Sequence, residues 1–580
     1  MGTSRSYALS KPHSQNARKT SLGECRKEST DSRKRLLARA SRWRAGRRLV
    51  VAARSSDQRE VSLLKQARGP LWILLASLTL ALGILSSPVG AQEGPAVLDP
   101  NLRVRTVVSG LTTPSTMAFL GPNDFLIAEK NTGQVKRVVN GVVQGTVLDL
   151  AVNNASERGL LGVALHPDFP TNPSVYLYWT CRSTAPLDDD PFQPEEQVCS
   201  DSAMFGQPDT GDILRVPLRG NRVDRFEWDG STLVYQQNLL VLRAFQSDGA
   251  PDPPGQGDSA QPARGNHDGG VLAFGADGKL YVAVGDLGRR GEMQNLEEGP
   301  TPPTDDDQFG GPEPDNAHLS GVVLRLNANG SAPADNPFFA VGAQRGGEAG
   351  ANIQRLYAYG LRNTFGLALD PVSGSLWDQQ NADDAFDELN RVERGMNGGW
   401  IQIMGPVSRI EQLKQVELTL PPSGGIPGAQ LQQIRWPPTN LADTPAEALS
   451  RLFVLPGSHY SDPEFSWKFA VPPAAIGFLR GVALGPQYEN DLFAGAATPL
   501  TAGGYLFRFN LTGNRRNIAV DDPRLEDRVA DNNAKNDITE SESLLFGTGF
   551  GVSTDIETAP NGNLFVVSLS AGAVYEISRR

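Results

Sequence analysis

From Arg264 to Asp286 the chain reads RGNHDGGVLAFGADGKLYVAVGD. An apolar run, VLAF, precedes the turn-forming GADG, and a second apolar run, LYVAV, follows it. Gly and Asp between short runs rich in β-branched and aromatic residues mark a tight β-hairpin. A turn centred between Ala276 and Asp277 sets residues whose numbers sum to 553 opposite one another, and so pairs His267 with Asp286. A carboxylate beside an imidazole fixes the ring tautomer and favours its protonated form, as a general base requires. A histidine capping a hairpin for structural reasons would show the same spacing. Only five histidines occur in the chain, so the position of this one is informative.

The hairpin unit recurs. It reads MAFLGPNDFLIAEK, VALHPDFPTNPSVYLYWT, VLAFGADGKLYVAVGD, LALDPVSGSLWDQ, VALGPQYENDLFAGA and IETAPNGNLFVVSLS. Each copy is followed by a third strand that ends in a turn: QVKRVVNG, ILRVPLRGN, VVLRLNANG, ELNRVERG, LFRFNLTG and VYEISRR. Six copies of one sheet unit predict an all-β fold, a six-bladed β-propeller with long surface insertions, because radial repetition protects sheet edges. VRTVVSG, Val104 to Gly110, precedes the first copy and is placed to supply the outer strand of the last blade. The acidic, proline-rich gaps, such as SDGAPDPPGQGDSAQPAR, read as surface insertions.

In a propeller the loops entering the first strand of each blade open at one end of the central channel. Here they read TTP (112–114), SERG (156–159), RGNH (264–267), GLRN (360–363), SWKFAVPP (466–473) and GVST (551–554). Glu157, Asn266, His267, Arg362, Asn363 and Trp467 therefore converge on one mouth, the default place for a ligand. His166 lies past its strand, at the opposite end, and reads as a turn residue. His318 and His459 sit in loops with no evident partner.

Composition bounds the setting. High Gly (61) and Pro (42) in 580 residues imply many turns and few long helices. The formal charge of −11 divides into +13 for residues 1–70 and −24 for the remainder. Leu71 to Ser87, LWILLASLTLALGILSS, is an apolar run followed by PVGA and Gln92. It reads as a secretory signal cleaved after Ala91, or as an uncleaved membrane anchor through 71–87. Signals usually run roughly 15–30 residues, so the basic stretch 1–70 reads as a disordered or mis-called extension, with a start nearer Val61. The expected division is thus 1–70 extension, 71–91 signal or anchor, and 92–580 propeller. Either reading of 71–91 places the acidic body outside the cytoplasm, periplasmic or secreted. Cys181 and Cys199 flank an acidic loop. They suit either a disulfide, worth about 3 kcal/mol by loop entropy, or two unpaired thiols. A body so acidic repels phosphate backbones, which argues against nucleic acid. No G-x-G-x-x-G between strand and helix points to a nicotinamide or flavin.

The strings ERGLLGVALHPDF, NHDGGVLAFGADGKLYVAVGD, GVVLRLNANGSAPADNPF, YAYGLRNTFGLALDP and DELNRVERGMNGGW together resemble the glucose/sorbosone dehydrogenase family. These are soluble quinoproteins that use pyrroloquinoline quinone (PQQ) and calcium on a six-bladed propeller. The resemblance implies a small sugar substrate and an external electron acceptor. It implies that His267 takes the proton of a sugar C1 hydroxyl while hydride passes to the quinone, that Asp286 orients His267, and that Arg362 polarises the substrate. It implies cofactor contacts from Asn363 and Gln380 with Glu157 nearby, to which the mouth adds Asn266, where the family usually has an acid, and Trp467; calcium would be held by Asp387, Glu388 and the backbone near Gly398. The chain also departs from that pattern. The family's enzymes hold the three carboxylates of PQQ with a lysine late in blade five and two arginines entering blade six; here those segments read AGAATPLTAGGYLFRF and GVSTDIETAP. Arg264, Arg289, Arg290 and Arg480 are the candidate substitutes. Two other classes of function fit the sequence. One is a cofactor-less propeller that binds carbohydrate or protein. The other is a calcium-dependent, lactonase-like hydrolase with Glu157, Asn266 and Asn363 around the metal.

Overall fold

Short apolar runs separated by Gly, Asn and Asp turns build sheets here, and most of the regular structure is strand. The computed structural model describes residues 94–580 except 155–156, 182–219, 245–266, 289–294, 296–318, 420–437 and 498–502. The extension, the apolar run 71–87, Asn266, His318 and Cys199 therefore lie outside the described residues. Among the described residues there are six sheets of four to six strands. Their first strands are Pro114–Gly121, Leu160–Leu165, Leu272–Phe274, Thr364–Leu369, Pro473–Phe478 and Ser553–Thr558. Each touches the next, and the last touches the first. The arrangement is mostly β and propeller-like.

One sheet joins distant parts of the chain. Leu102–Ser109 pairs antiparallel with Ala573–Arg579, so the strand expected from VRTVVSG does form the outer edge of the last sheet. Val108, Met117, Phe125, Phe565 and Val574 fill this seam. Phe119 meets Phe565 edge-on at 5.1 Å between ring centroids, a favoured aromatic geometry.

The six first strands share a device that the sequence does not advertise. Near the leading end of five of them the register slips by one residue, at Ser115, Leu161, Phe365, Ala474 and Thr554. In the remaining strand the Gly270 N–H donates to Ala283 O, while the Ala283 N–H donates to Val271 O, so two residues oppose one. Each is a β-bulge, which re-aims a side chain without ending the ladder.

Three expectations need correction. The hairpin 272–284 pairs Leu272 with Val282 and Phe274 with Leu280, so opposed numbers sum to 554 along the ladder, because the turn GADG closes as Gly278 N–H to Gly275 O with Lys279 already opposite Gly275. The bulge at Gly270–Val271 then shifts the pairing by one and brings His267 back opposite Asp286. Secondly, VALGP is not a strand. Gly481 and Gly485 hold positive φ angles and Pro486–Tyr488 forms a turn of 3-10 helix, so the first strand of that blade is the upstream PAAIGF. Thirdly, the third strand of the second blade is Gly220–Trp228, whereas most of ILRVPLRGN lies outside the described residues.

A chain lacking Leu102–Ser109 would expose the edge of Ala573–Arg579. Thermal unfolding of that deletion is expected at a markedly lower midpoint, with light scattering rising before unfolding is complete. An unchanged midpoint would show that the seam contributes little.

Candidate active site

The ladder carries the chain from Leu280 to Val284 and delivers Gly285 and Asp286 beneath the backbone of His267. Only glycine fits at 285, since a Cβ there would lie 2.1 Å from His267 O. His267 itself takes φ of 59°, a left-handed conformation that costs a non-glycine residue free energy and recurs at functional sites. Its Nδ1 meets Asp286 Oδ1 at 2.6 Å, and the imidazole is only 7% exposed while Asp286 is fully buried. A neutral ring that donates through Nδ1 to the carboxylate leaves its lone pair on Nε2.

Asp286 is held from several sides. Its Oδ1 also accepts the Gly288 N–H at 2.8 Å, and its Oδ2 accepts the indole N–H of Trp400 at 2.7 Å. Its own N–H donates to Arg362 O at 2.8 Å. Trp400 lies beneath the Arg362 guanidinium, 5.3 Å from ring centroid to Cζ, and Arg362 Nη1 donates to Asn381 O at 2.5 Å. The Arg362 N–H donates to Gln380 Oε1 at 2.9 Å. Gln380 therefore sets the backbone of Arg362. Glu157 closes the group: its Oε2 accepts the His267 N–H at 2.7 Å and an Asn363 amide N–H at 3.4 Å. Asn363 Oδ1 and Arg362 Nε are buried and lack a hydrogen-bond partner among the described residues. Buried polar atoms left so are costly unless something else binds them.

The structure thus brings together His267, Asp286, Arg362, Asn363, Glu157 and Gln380. It adds Trp400, Asp268 and Lys130, which the sequence reading missed. Trp400 ends the string DELNRVERGMNGGW and was the available signal. Asp268 follows His267 and is fully buried; loss of hydration pushes its carboxyl up to about 6, against the pull of Arg158 and a hydrogen bond from Asn221. Burial holds the Lys130 ammonium down to about 8, despite nearby Glu157 and Asp268.

A cavity of about 280 Å3 opens beside this group on the propeller axis. Its walls come from all six first strands, and the bulged residues Ser115, Leu161, Val271, Phe365, Ala474 and Thr554 all line it. Glu157 and Gly269 connect it to His267. Most of the remaining wall is apolar, with Lys130, Asn381 and Asp555 among the polar exceptions. Asp555 accepts the Met117 N–H and the Thr116 hydroxyl, and dehydration pushes it up to about 6.

Other expectations fail on geometry. Trp467 does not face the mouth: its strand pairs with Asp387–Leu389, and its fully buried ring packs on Phe465 and Phe507. Arg480 lines a second cavity, at the other end of the axis, with Glu557. Asp387 and Glu388, expected with Gly398 to hold calcium, do not converge. Asp387 and Glu388 point to opposite faces of one strand. Asp387 accepts the N–H groups of Ala382 and Val471, and Glu388 accepts those of Gly405 and the Asn390 side chain. Gly398 is tied by its N–H to Tyr359 O. Among the described residues no three His, Cys, Asp or Glu side chains are grouped to hold a metal ion. His459, expected to lack a partner, meets Glu393 through Nε2 at 2.9 Å. His166 sits in the turn after its strand, as expected, with Nδ1 accepting the Asp168 N–H.

PQQ meets a similar obstacle. The segments where the family's lysine and arginines are expected do reach the axial cavity, but there they present Ala497, Val552 and Thr554. Three carboxylates would face one described ammonium, Lys130, together with two acids, Glu157 and Asp555. The described lining does not fit a tricarboxylate.

Two measurements test these electrostatics. Trp400→Phe leaves Asp286 Oδ2 buried without its donor, which is expected to cost about 1–3 kcal/mol in denaturant unfolding. Burial also pushes Asp378 up to about 7 and Glu388 up to about 8. Both folded values lie above the ordinary carboxylate range, so their contribution is full below pH about 4 and is lost as pH rises through 7 and 8, each by at most about 1.4 kcal/mol per pH unit. Asp378→Asn with Glu388→Gln is expected to flatten stability between pH 5 and 8, and an unaltered slope would contradict the assignment.

Comparison with known proteins agrees with the fold. The sequence profile described as glucose / sorbosone dehydrogenase matches residues 111–190 and 258–408. Quinoprotein glucose dehydrogenase B of Acinetobacter calcoaceticus is 27% identical over 326 residues, 55% of this chain and 56% of that protein. Aldose sugar dehydrogenase YliI of Escherichia coli is 32% identical over 136 residues, 23% of this chain and 29% of its own length. The chain thus spans little more than half the length of the first of these relatives and less of the second. The crystal structure of the soluble aldose sugar dehydrogenase from Escherichia coli in the apo-form superposes with a TM-score of 0.51 at 20% identity, covering 83% of this chain and 100% of that one. At that identity the likeness speaks for the fold. On the two matched segments, which make up less than half of its length, the chain is similar to the glucose/sorbosone dehydrogenase family.

Proposed function

We propose that the protein is a sugar dehydrogenase on a six-bladed propeller, working outside the cytoplasm and oxidising a hydroxyl of an aldose or related compound. The observation that carries this reading is the buried His267–Asp286 contact of 2.6 Å, backed by the indole of Trp400. The cycle of six touching first strands supports the blade count. Cys181 is disulfide-bonded, which supports an oxidising compartment.

In this reading the substrate hydroxyl faces Nε2 of His267, which receives its proton. Asp286 holds the ring by Nδ1 and stabilises the imidazolium that forms, so no charge is created unpaired in a buried site. Trp400 keeps Asp286 from turning away and carries the Arg362 guanidinium on its face. Glu157 and Asn363 offer an acceptor and an amide to further hydroxyls. PQQ, in relatives that bind it, supplies a hydride acceptor; the described residues here do not fit it, and no step is assigned to it or to calcium.

A second reading, a propeller that binds a ligand without turnover, is favoured by the loss of cations from the axial cavity. The third, a calcium hydrolase, has two of its three expected residues, Glu157 and Asn363, side by side. Dye reduction by a panel of aldoses, with and without added PQQ and calcium, separates these. Turnover is expected to fall about 10²–10⁴-fold in His267→Ala, the usual worth of a general base, and less in Asp286→Asn, with folding retained in both. Absence of turnover under every condition would end the dehydrogenase reading in favour of the binding propeller. Chelator-sensitive lactone cleavage would favour the hydrolase.

A further inference from the structure

The axial cavity is shaped for something other than the family's tricarboxylate. Leu161, Val271, Phe365, Leu367, Ile476 and Leu569 give it an apolar wall. Burying apolar area there is favourable, whereas a sugar would leave its hydroxyls without partners on that wall. Charge decides the rest. Lys130 is the one cationic side chain among the described lining residues, and Glu157 and Asp555 offset it, so the described lining carries no net positive charge for an anion. An ammonium at the edge of an apolar cavity does suit a carbonyl oxygen that takes on negative charge on reduction. Glu157, on the same wall, accepts the His267 backbone N–H, so the cavity reaches the backbone of the proposed base.

We propose that this cavity binds an uncharged, mainly apolar quinone, which serves as the electron acceptor of the site. The binding claim stands on the cavity alone; the acceptor role rests on the dehydrogenase reading above. In the coupled step the substrate C–H and O–H bonds break and its carbon becomes a carbonyl. The hydroxyl proton passes to His267 Nε2, and the C–H hydrogen leaves with its electron pair to the quinone. A second proton, from Lys130, completes the hydroquinone, and solvent restores both side chains. Burial, which already holds Lys130 down to about 8, eases that proton's release.

The test titrates the purified full chain with menadione, following tryptophan fluorescence, and in parallel with PQQ. Menadione is expected to bind one equivalent and to be displaced by 1-naphthol but not by glucose. The double variant Ala497→Lys/Thr554→Arg restores cations at the two segments that lack them. It is expected to weaken menadione at least about tenfold and to strengthen PQQ at least about tenfold, since a single charge-assisted hydrogen bond is worth a factor of about ten or more. Binding of PQQ in preference to menadione by the unaltered chain would overturn the proposal. So would an effect of the double variant on neither ligand. Lys130→Met, which removes no apolar wall, should retain menadione binding but slow menadione-dependent oxidation of an aldose. If menadione binds as expected and no aldose is oxidised with it, the cavity assignment stands and the dehydrogenase reading fails.

Discussion

One extra residue near the leading end of each inner strand governs the site. A regular antiparallel ladder alternates its side chains strictly between two faces, and such a ladder run to the rim would present that same alternation around the axis. The bulges at Ser115, Leu161, Val271, Phe365, Ala474 and Thr554 break that alternation at one level of the propeller. They turn six side chains inward together. The cavity is thus a product of backbone register, repeated blade by blade, and its chemistry is set by whichever residue occupies the extra position. In the third blade the same device does a second task, because the slip it introduces is what sets His267 against Asp286.

Around that pair the structure concentrates buried charge and then neutralises it locally. Asp286 accepts hydrogen bonds from the imidazole, an indole and a backbone amide; Glu157 is tied to the backbone of His267. Groups held this way need little rearrangement when a proton arrives, which is the advantage of preorganised polar sites over solvent. Asp268 shows the cost. It is fully buried beside His267, and its Oδ2 has no hydrogen-bond partner among the described residues. Arg158 and Asn221 offset its dehydration only in part.

Much of this was legible in the sequence, for reasons that can be stated residue by residue. GADG, GPND and PNGN announce hairpins through Gly and Asn turns, so the repeat, the closing strand and the mouth followed from local chemistry. Five of the six inner strands were found where they lie. The sixth was missed because it begins with proline, PAAIGF, while the more strand-like VAL downstream is broken by two glycines of positive φ. His267 and Asp286 were paired by a register one residue out, which the bulge corrects. Trp400 stood in a quoted string, but its role did not show: its partner Asp286 is 114 residues away along the chain, and no periodicity reports such a contact. Trp467 misled because an aromatic ahead of a blade reads as a rim residue, although an extra strand pairing draws it into the core.

The seam between Leu102–Ser109 and Ala573–Arg579 has a bearing on biogenesis. Residues separated by about 470 positions form one ladder, so during synthesis the first half of that ladder must wait for nearly the whole polypeptide before it finds its mate. Until then one sheet edge stays open to neighbours on the same messenger. A protein built like this has reason to enlist a holding chaperone until Ala573–Arg579 has been made, and a ribosome stall between the two strands should be disproportionately harmful to it.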